Sequence, residues 1–331
     1  MTPVSLIICT RNHARALEPT LQSLAQVAIP ADLPTELIIA DNGSTDDTTA
    51  VVHAAIPRLT NLRGVRIVAE PRAGQCFARN AGIAASDGQI ILFTDDDLRF
   101  PVDWIEGLCR PIQAGGADAV VGGVKIAPHL ERAWMQTHHR MWLASSEGTD
   151  PEHPLLIGAN FAFHRRVLEM VPRFDTELGP GQLGFGDDTL FGQQLREAGF
   201  TILPVLSAAV EHHFDADRLL RASFLSAAAK HGSSLAYSRY HWEHDVVSNP
   251  RREYLRCRLK LSIRRLLRFW ECRRPEGMPT WEMHFVQFCR FYQQWQQEAA
   301  RPRLYEKHGL RKRGADDETQ PHPLSEPTKI G

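Results

Sequence analysis

The sequence predicts an α/β fold built on a mostly parallel sheet. Short runs of β-branched and aliphatic residues alternate with longer segments in which apolar residues recur at helical spacing, as at Leu17, Leu21 and Leu24. This alternation is typical of parallel sheets, whose neighbouring strands are joined by crossover helices. The 331 residues are 43% hydrophobic and carry a net charge of -1, a composition that can bury a large core.

Five strands are predicted in the first 125 residues, and polar loops follow four of them. The predicted strands are residues 4–9, 36–40, 65–69, 90–94 and 119–122. Ligands of open parallel sheets bind beyond the carboxyl ends of the strands. The loops after Cys9, Ala40, Ala69 and Thr94 are therefore where we expect the chemistry.

Beyond about residue 125 the alternation is lost and fewer elements are predicted. They are a helix at residues 189–198, a short strand near 201–206 and a helical segment at 217–240. Residues 311–331 are polar and contain prolines, so we expect a disordered tail.

The stretch from Arg251 to Arg274 is strongly basic, with ten Lys or Arg against two Glu. Apolar residues recur in it at helical spacing, namely Leu255, Leu259, Ile263, Leu266, Leu267 and Trp270. The pattern predicts a basic amphipathic helix, which either docks on an anionic membrane surface or packs its apolar stripe on the rest of the chain. Exposure of Phe269 and Trp270 would favour the membrane, and their burial would favour packing.

Cysteine usage and hydropathy indicate the compartment. The six cysteines show no CxxC spacing, so we expect free thiols in a reducing environment. The sequence has neither a run of about 18 apolar residues nor a signal peptide, so we predict a cytoplasmic chain, peripheral at the inner face of the membrane if the basic helix binds lipid. The balanced charge gives no reason to expect a nucleic-acid partner.

Three adjacent carboxylates, Asp95, Asp96 and Asp97, close a predicted buried strand. Their mutual repulsion is unfavourable unless a cation neutralises it. Alternate residues of an extended segment point the same way, so Asp95 and Asp97 face one side and Asp96 the other. One face then suits a divalent ion or a sugar hydroxyl. The alternative is a solvated acidic turn before a helix that starts near Pro101, where the helix dipole favours carboxylates.

Two further loops carry candidate ligand groups. Asp41 ends the second strand, where its carboxylate is placed to accept the N–H of a pyrimidine base, whereas capping explains the polar residues after it. A helix begins near Gly74, and its free N–H groups with Arg72 or Arg79 could meet an anion, although helix packing is the favoured explanation of that segment alone. The sequence contains neither GxGxxG nor GxxxxGK[ST], which argues against a dinucleotide site or a phosphate loop.

Two acidic residues and two histidines complete the candidates. Asp187 and Asp188 follow a glycine-rich loop and precede a helix, so they either cap that helix or bring a general base to a substrate hydroxyl. His212 and His213 lie at the end of a later strand and offer a metal ligand, although such pairs are more often structural.

The order of these motifs resembles the inverting family 2 glycosyltransferases of the GT-A fold, over residues 4 to about 235. Each motif is weak alone, and their order is what is specific. The matching segments are residues 5–10, 41–46, 74–82, 93–97 with Pro101 and Trp104 behind them, 158–160, 174–175, 187–189 and His212.

The resemblance implies a donor site in the strand-end loops. In the family, the first-strand loop and the residue that matches Asp41 hold the nucleotide base, so Thr10 and Asp41 take that role by resemblance. The full set that we expect to bind the donor is Thr10, Arg11, Asp41, Arg79, Asp95 and Asp96.

The resemblance also implies a divalent cation, Mn²⁺ or Mg²⁺. Asp95 and Asp97 match the DxD motif, whose last carboxylate binds the ion that bridges the diphosphate. His212 matches a histidine that completes the metal site in some members, and the adjacent His213 leaves this assignment open by one position. The expected metal ligands are thus Asp97 and Asp95 with His212 or His213.

The general base is implied in the same way. Asp188 matches the Asp of the family's Glu-Asp pair, and Asp187 stands where the family has Glu, which leaves open which of the two carboxylates is the base. A carboxylate base and a metal-stabilised diphosphate leaving group suit a single displacement that inverts the anomeric carbon.

The resemblance predicts a GT-A fold with a Rossmann-like nucleotide-sugar-binding half (residues 1–125) and an acceptor-binding and catalytic-base half (126–240). The basic apolar-periodic pattern adds a basic amphipathic helical extension (241–310). The implied activity moves a sugar from a nucleoside-diphosphate sugar, with UDP favoured, to a hydroxyl of a saccharide or lipid-linked acceptor in polysaccharide or glycolipid synthesis.

Two other functions compete with this one. A sugar nucleotidyltransferase would need a glycine-rich loop after the first strand, and Thr10-Arg11-Asn12-His13 contains no glycine. A non-catalytic nucleotide-sugar sensor or membrane-surface scaffold would not need Asp188 beside the DxD motif, because binding requires no base.

Overall fold

The central sheet is mostly parallel, as the sequence predicts. The structure, a computed structural model, describes residues 1–150, 152 and 154–314. The strands are β1 (Val4–Thr10), β2 (Thr35–Asp41), β3 (Gly64–Ala69), β4 (Ile90–Thr94), β5 (Leu98–Arg99), β6 (Ala119–Ile126), β7 (Asn160–His164) and β8 (Ile202–His212). Within those residues they form one sheet in the order β3-β2-β1-β4-β7-β6-β8-β5. Strand β7 runs antiparallel to β4 and β6, whereas β1 is parallel to β2 and β4.

Helices cover both faces of this sheet and extend beyond it. They are α1 (Ala14–Leu24), α2 (Thr48–Ala55), α3 (Gln75–Ala85), α4 (Trp104–Gln113), α5 (Thr137–Trp142), α6 (Asp187–Glu197), α7 (Arg221–His241), α8 (Pro250–Leu267) and α9 (Thr280–Glu298). Neighbouring residues of β4 point to opposite faces, so Leu92 packs into one core with α1, α2 and α4, and Phe93 into the other with α3 and α6. The strand ends are thereby held rigidly from both sides.

Several predicted boundaries move. Helix α6 starts at Asp187 rather than residue 189, so both candidate base residues lie in its first turn. The strand predicted near 201–206 continues to His212, which carries that histidine back to the sheet edge. The predicted boundary between residues 125 and 126 falls inside β6, which pairs with β7 and β8, so the two halves share one sheet.

The prediction of one basic helix as far as Arg274 is wrong, because α8 ends at Leu267. Pro275 disfavours helical backbone at the residue before it, and Glu271 accepts a hydrogen bond from Trp281 of α9 at 2.8 Å. The chain therefore turns back onto α9, which the sequence analysis did not predict. Phe269 and Trp270 lie in this turn.

Neither a membrane-spanning helix nor a disordered tail is seen in the part of the chain that the structure describes. Among residues 1–150, 152 and 154–314 we find no helix with the length and apolar character of a bilayer span. Of the tail expected to be disordered, residues 315–331 lie outside the described residues. Lys312 is described, and its Nζ lies 2.7 Å from Asp175 Oδ1 and 2.8 Å from Glu177 Oε1.

Candidate active site

The predicted base-binding residues meet where β1 and β2 end. Thr10 pairs with Asp41 at the last position of both strands. Oδ1 of Asp41 accepts the N–H of Ser44 at 2.9 Å, which fixes its carboxylate at the edge of the sheet. Arg11 follows Thr10 and is exposed. The structure thus brings Thr10, Arg11 and Asp41 to one polar rim.

Asp96 lies against the first loop of the protein. Its Oδ2 accepts the hydroxyl of Thr10 at 2.6 Å, and its Oδ1 lies 2.7 Å from Nδ1 of His13. The hydrogen bond with Asp96 raises the pKa of His13 to about 9. Asp96, expected in the donor site, therefore holds the loop that carries Thr10 and Arg11.

Asp97 is buried against His212. Oδ2 of Asp97 lies 3.3 Å from Nε2 of His212, and Nδ1 of His212 lies 2.9 Å from the carbonyl oxygen of Leu143. Since a carbonyl only accepts, Nδ1 of His212 carries a proton toward Leu143, and Nε2 is the ring nitrogen that faces Asp97. Burial alone would raise the pKa of Asp97, but the neighbouring His212, Arg218 and His13 lower it to about 2.

These donors fit a divalent cation. Oδ1 of Asp97 is buried without a hydrogen-bond partner in the part of the chain that the structure describes. Ligand atoms of His13, Asp96 and Asp97 all lie within 4.8 Å of one another. A metal-binding histidine commonly donates its other ring N–H to a backbone carbonyl, as His212 does here. The unpaired carboxylate oxygen is what a hard cation would satisfy.

The other two expected metal ligands are placed differently. Asp95 is half-buried, and its Oδ1 lies 3.4 Å from Nε2 of Gln75; burial and the nearby Asp97 raise the pKa of its carboxyl to about 6. His213 faces away from Asp97, with its Nε2 3.3 Å from Glu211 and its ring beside His129. The backbone N–H of His213 donates to the carbonyl oxygen of Asp97 at 2.8 Å, but its side chain pairs with Glu211 and not with the carboxylate of Asp97.

Asp188 is the candidate base, held by two backbone N–H groups. Oδ2 accepts from Gly158 at 2.7 Å and Oδ1 accepts from Thr189 at 2.7 Å. Burial, followed by the charge of Asp187, raises the pKa of Asp188 to about 6. A carboxylate with that pKa is deprotonated at neutral pH yet basic enough to take a proton.

Arg79 binds a protein carboxylate instead of the open rim. Its guanidinium is 3% exposed, pairs with Asp187 and lies 3.3 Å from the carbonyl oxygen of Gly158. Asp187 is thereby committed to an ion pair, whereas Asp188 is not. The arrangement makes Arg79 a positioning residue for α6, and it leaves Asp188 as the carboxylate available for chemistry.

The sequence analysis did not identify His13 or Arg218 as site residues. Nη1 of Arg218 lies 3.4 Å from Nε2 of His212, and its guanidinium packs over Phe214 at 5.1 Å from the ring centroid. His13 lies in the loop after the first strand, and that position could have identified it as a candidate site residue. Arg218 follows His212 by six residues in no recognisable pattern, so a single sequence held no signal for it.

The fold and this constellation define a mixed α/β protein whose polar and acidic side chains meet where β1, β2 and β4 end. Residues 5–171, just over half of the 331-residue chain, match the family described as Glycosyl transferase family 2. The chain belongs to this family, which confirms the predicted resemblance.

Curated relatives are similar over about two fifths of the chain. Glycosyltransferase AglE of Haloferax volcanii is 30% identical over 122 residues, 37% of this chain and 39% of that protein. Undecaprenyl-phosphate 4-deoxy-4-formamido-L-arabinose transferase of Pseudomonas syringae is 28% identical over 131 residues, 40% of this chain and 38% of that protein. The chain thus spans about two fifths of the length of these relatives.

Solved structures extend the likeness to the whole fold. A mannosyltransferase from Pyrobaculum calidifontis, solved in complex with GDP-Man and Mn²⁺, superposes with a TM-score of 0.61 at 17% identity over 88% of this chain and 86% of that one. A mycobacterial protein gives a TM-score of 0.51 at 21% identity, over 71% of this chain and 73% of its own. The GT-A fold predicted from the motif order is confirmed.

Proposed function

We propose that this protein transfers a sugar from a nucleoside-diphosphate sugar to an acceptor hydroxyl, with a divalent cation and with inversion at the anomeric carbon. The observation that carries the proposal is the buried Oδ1 of Asp97, which has no hydrogen-bond partner among the described residues, on a carboxylate whose Oδ2 lies 3.3 Å from Nε2 of His212. A folded protein keeps such a group where an outside partner satisfies it.

The donor nucleotide binds at the rim formed by Thr10, Arg11 and Asp41. The carboxylate of Asp41 suits the N–H of a uracil, which favours a UDP-sugar. Guanine also presents N–H groups to a carboxylate, and the superposed mannosyltransferase was solved with GDP-Man. UDP and GDP are therefore the two nucleotides that the test must separate.

Residues at the end of β4 would hold the cation, Mn²⁺ or Mg²⁺. Asp97 and His212 supply the central ligands, with His13 and Asp96 within reach. When bound, the ion would stabilise the negative charge that develops on the diphosphate leaving group. Arg218 adds a fixed positive charge beside His212 for the same purpose.

Asp188 takes the proton of the acceptor hydroxyl as that oxygen attacks the anomeric carbon. The N–H groups of Gly158 and Thr189 fix the carboxylate, and the Arg79–Asp187 pair fixes the start of α6. Base and leaving group on opposite sides of the sugar give a single in-line displacement, hence inversion. No covalent sugar-enzyme bond is required.

The acceptor is a saccharide or a lipid-linked hydroxyl compound, in polysaccharide or glycolipid synthesis. One relative is named as a transferase acting with undecaprenyl phosphate, which favours the lipid-linked class. Such an acceptor would place the protein at the inner face of a membrane.

Calorimetric titration tests the donor and cation together. The full chain is titrated with UDP, GDP, dTDP and CDP, each with Mn²⁺ and then with EDTA. We expect one diphosphate to bind with Mn²⁺ and to lose most of its affinity in EDTA and in Asp97→Ala. If none binds in any metal condition, the transferase proposal fails and the scaffold alternative replaces it.

A further inference from the structure

Helix α8 presents apolar residues on two opposite sides. Cys257 and Leu261 are buried against α9, with Sγ of Cys257 3.2 Å from Sγ of Cys289. On the other side, Leu255 is 63% exposed and Leu266 is 77% exposed. One face of α8 thus packs on α9, and among the described residues the second apolar face is exposed.

The exposed residues form one continuous stripe. Their spacing of three and four residues keeps them on one side of the helix, and the turn after Leu267 extends the stripe. The stripe consists of Leu255, Leu259, Ile263, Leu266, Leu267, Phe269 and Trp270, all at least 49% exposed. We call this set the docking face. Phe269 and Trp270 are exposed, the outcome that favours a membrane over internal packing.

Positive charge surrounds the docking face. From Arg251 to Arg274 there are ten Lys or Arg against two Glu, although the whole chain carries only -1. Arg258 and Lys260 are exposed on either side of the stripe, where long side chains can reach past it to phosphate groups. Both acidic residues are engaged within the extension, Glu253 with Arg256 and Glu271 with Trp281. The basic side chains therefore dominate the surface potential here.

A groove beside the stripe combines both characters. It lies between α8 and α9, has a volume of about 300 Å³, and is lined by Arg256, Lys260 and His284 together with Phe285 and Phe288. Phe288 is 39% exposed at its mouth. The groove also contains Glu253, which accepts a hydrogen bond from Arg256, and its basic and aromatic side chains suit a phosphate headgroup and its first acyl carbons.

We propose that the docking face binds an anionic membrane surface, with α8 lying in the plane of the headgroups. Anionic lipid supplies both an apolar phase for the leucines and negative charge for the flanking arginines. A second copy of this chain would bring the same positive charge to the contact, and repulsion would oppose it. The inference goes beyond the proposed function and needs neither donor nor cation.

Vesicle flotation of the full chain tests the inference. Phosphatidylcholine vesicles with about 30% phosphatidylglycerol should bind the protein at least tenfold more strongly than phosphatidylcholine alone, and high salt should reduce the difference. The double variant Leu259→Ser with Leu266→Ser should lose at least tenfold of the binding, because two leucines no longer enter the membrane. Lys260→Ala should lose about fivefold.

The matched control is Val102→Ser with Leu203→Ser, which removes two exposed apolar residues, 62% and 38% accessible, from the sheet half of the protein. It should bind vesicles like the unchanged chain. Equal binding to neutral and anionic vesicles would overturn the inference. So would a leucine double variant that changes the oligomeric state in sedimentation but not vesicle binding, since the face would then join two copies. Nucleotide titration of the same variants, expected unchanged, keeps this result separate from the proposed function.

Discussion

The strand-end site and the docking face depart from ordinary globular structure in opposite directions. The site buries carboxylates, with Asp97 7% exposed, whereas the docking face exposes leucines such as Leu266 at 77%. Charges are normally outside and large apolar side chains inside. Buried carboxylates and exposed leucines are both unfavourable in the isolated chain, and each is stabilised when an outside partner of matching chemistry binds. The chemistry of the partner can therefore be inferred from the misplaced group: a buried carboxylate indicates a cation, and exposed leucines indicate an apolar surface.

The two regions also differ in how completely they are satisfied internally. In the site, Asp187 pairs with Arg79 and Asp96 with His13. Among the described residues of this site, Oδ1 of Asp97 is the carboxylate oxygen that is buried without a hydrogen-bond partner. On the docking face, exposed apolar surface is distributed over seven side chains. We therefore expect single substitutions to have large effects in the site and small, additive effects on the docking face.

The largest effect is expected for Asp188→Asn. Loss of a general base should lower kcat by about 10²- to 10⁴-fold while nucleotide binding stays nearly unchanged. With Asp188 intact, kcat should rise with pH and level off above about 6, because burial and Asp187 raise the pKa of the base to about 6 and only its deprotonated form works. Steady-state rates across pH, with calorimetry on the variant, measure both.

Asp187→Asn is the companion variant that decides between the two carboxylates. It leaves the buried Arg79 unpaired, so it should destabilise the fold by about 3–5 kcal/mol, as seen in thermal unfolding. Asp188→Asn should not. Equal destabilisation of both variants, or lost nucleotide binding in Asp188→Asn, would contradict the assignment of roles.

Arg218→Gln should have the next largest effect. Removal of a fixed charge beside the diphosphate should lower kcat about tenfold to a hundredfold, with a smaller change in KM, because the charge matters most as the leaving group departs. Arg218→Lys should recover part of the loss. A variant that changes only KM would show that Arg218 interacts equally with the bound donor and with the transition state.

Gly158→Ala should reduce activity about tenfold without unfolding the protein. A Cβ at this position would lie 2.5 Å from Nη2 of Arg79 and 3.2 Å from Oδ2 of Asp188, so both groups must shift. The matched control is Gly64→Ala, whose Cβ would meet nothing within 4 Å. Comparable losses in the two variants, measured as kcat with unfolding temperature, would remove Gly158 from the positioning of the base.

The strand-end loops could be predicted because their signals are local. Runs of β-branched residues located β1 to β4. The prediction of an extended segment with Asp96 facing away from Asp97 is wrong, because both residues lie in the turn between β4 and β5 and their ligand atoms lie within 4.8 Å of each other and of His13. Asp96 has His13 as its partner, and Asp97 has His212. The partners themselves are far away in sequence. His13 and Asp96 are 83 residues apart, and Arg79 and Asp187 are 108 apart, so no local pattern connects them.

Helix α9 lies inside the helical extension predicted for residues 241–310, but it was not predicted as an element of its own, for a different physical reason. Its buried positions include Glu282 and Glu298, which pair with Arg221 and His241. Burial through ion pairs hides the apolar periodicity on which helix prediction depends. The same polar interior explains why α8 needs so little of its own apolar surface for packing and leaves leucines free for the docking face.

The smallest effect is expected at His231 of α7. Its ring stacks on the ring of Phe185, which lies in the loop before Asp188, with 3.7 Å between the ring centroids. It also stacks on Trp142, with 4.4 Å between the centroids. Burial, with His138 nearby, lowers the pKa of His231 to about 3. An unfolded histidine titrates near 6.5, so between about pH 6.5 and 3 the unfolded chain binds more protons and stability falls as the pH is lowered.

His231→Phe should flatten that fall, by at most about 1.4 kcal/mol per pH unit, because the phenyl ring keeps the stack and binds no proton. Denaturant unfolding between pH 7 and 4 measures the slope, and His53→Phe, at an exposed histidine of α2, should leave it unchanged. If the His231→Phe slope equals that of the unchanged chain, the buried ring is accessible to protons in the folded state.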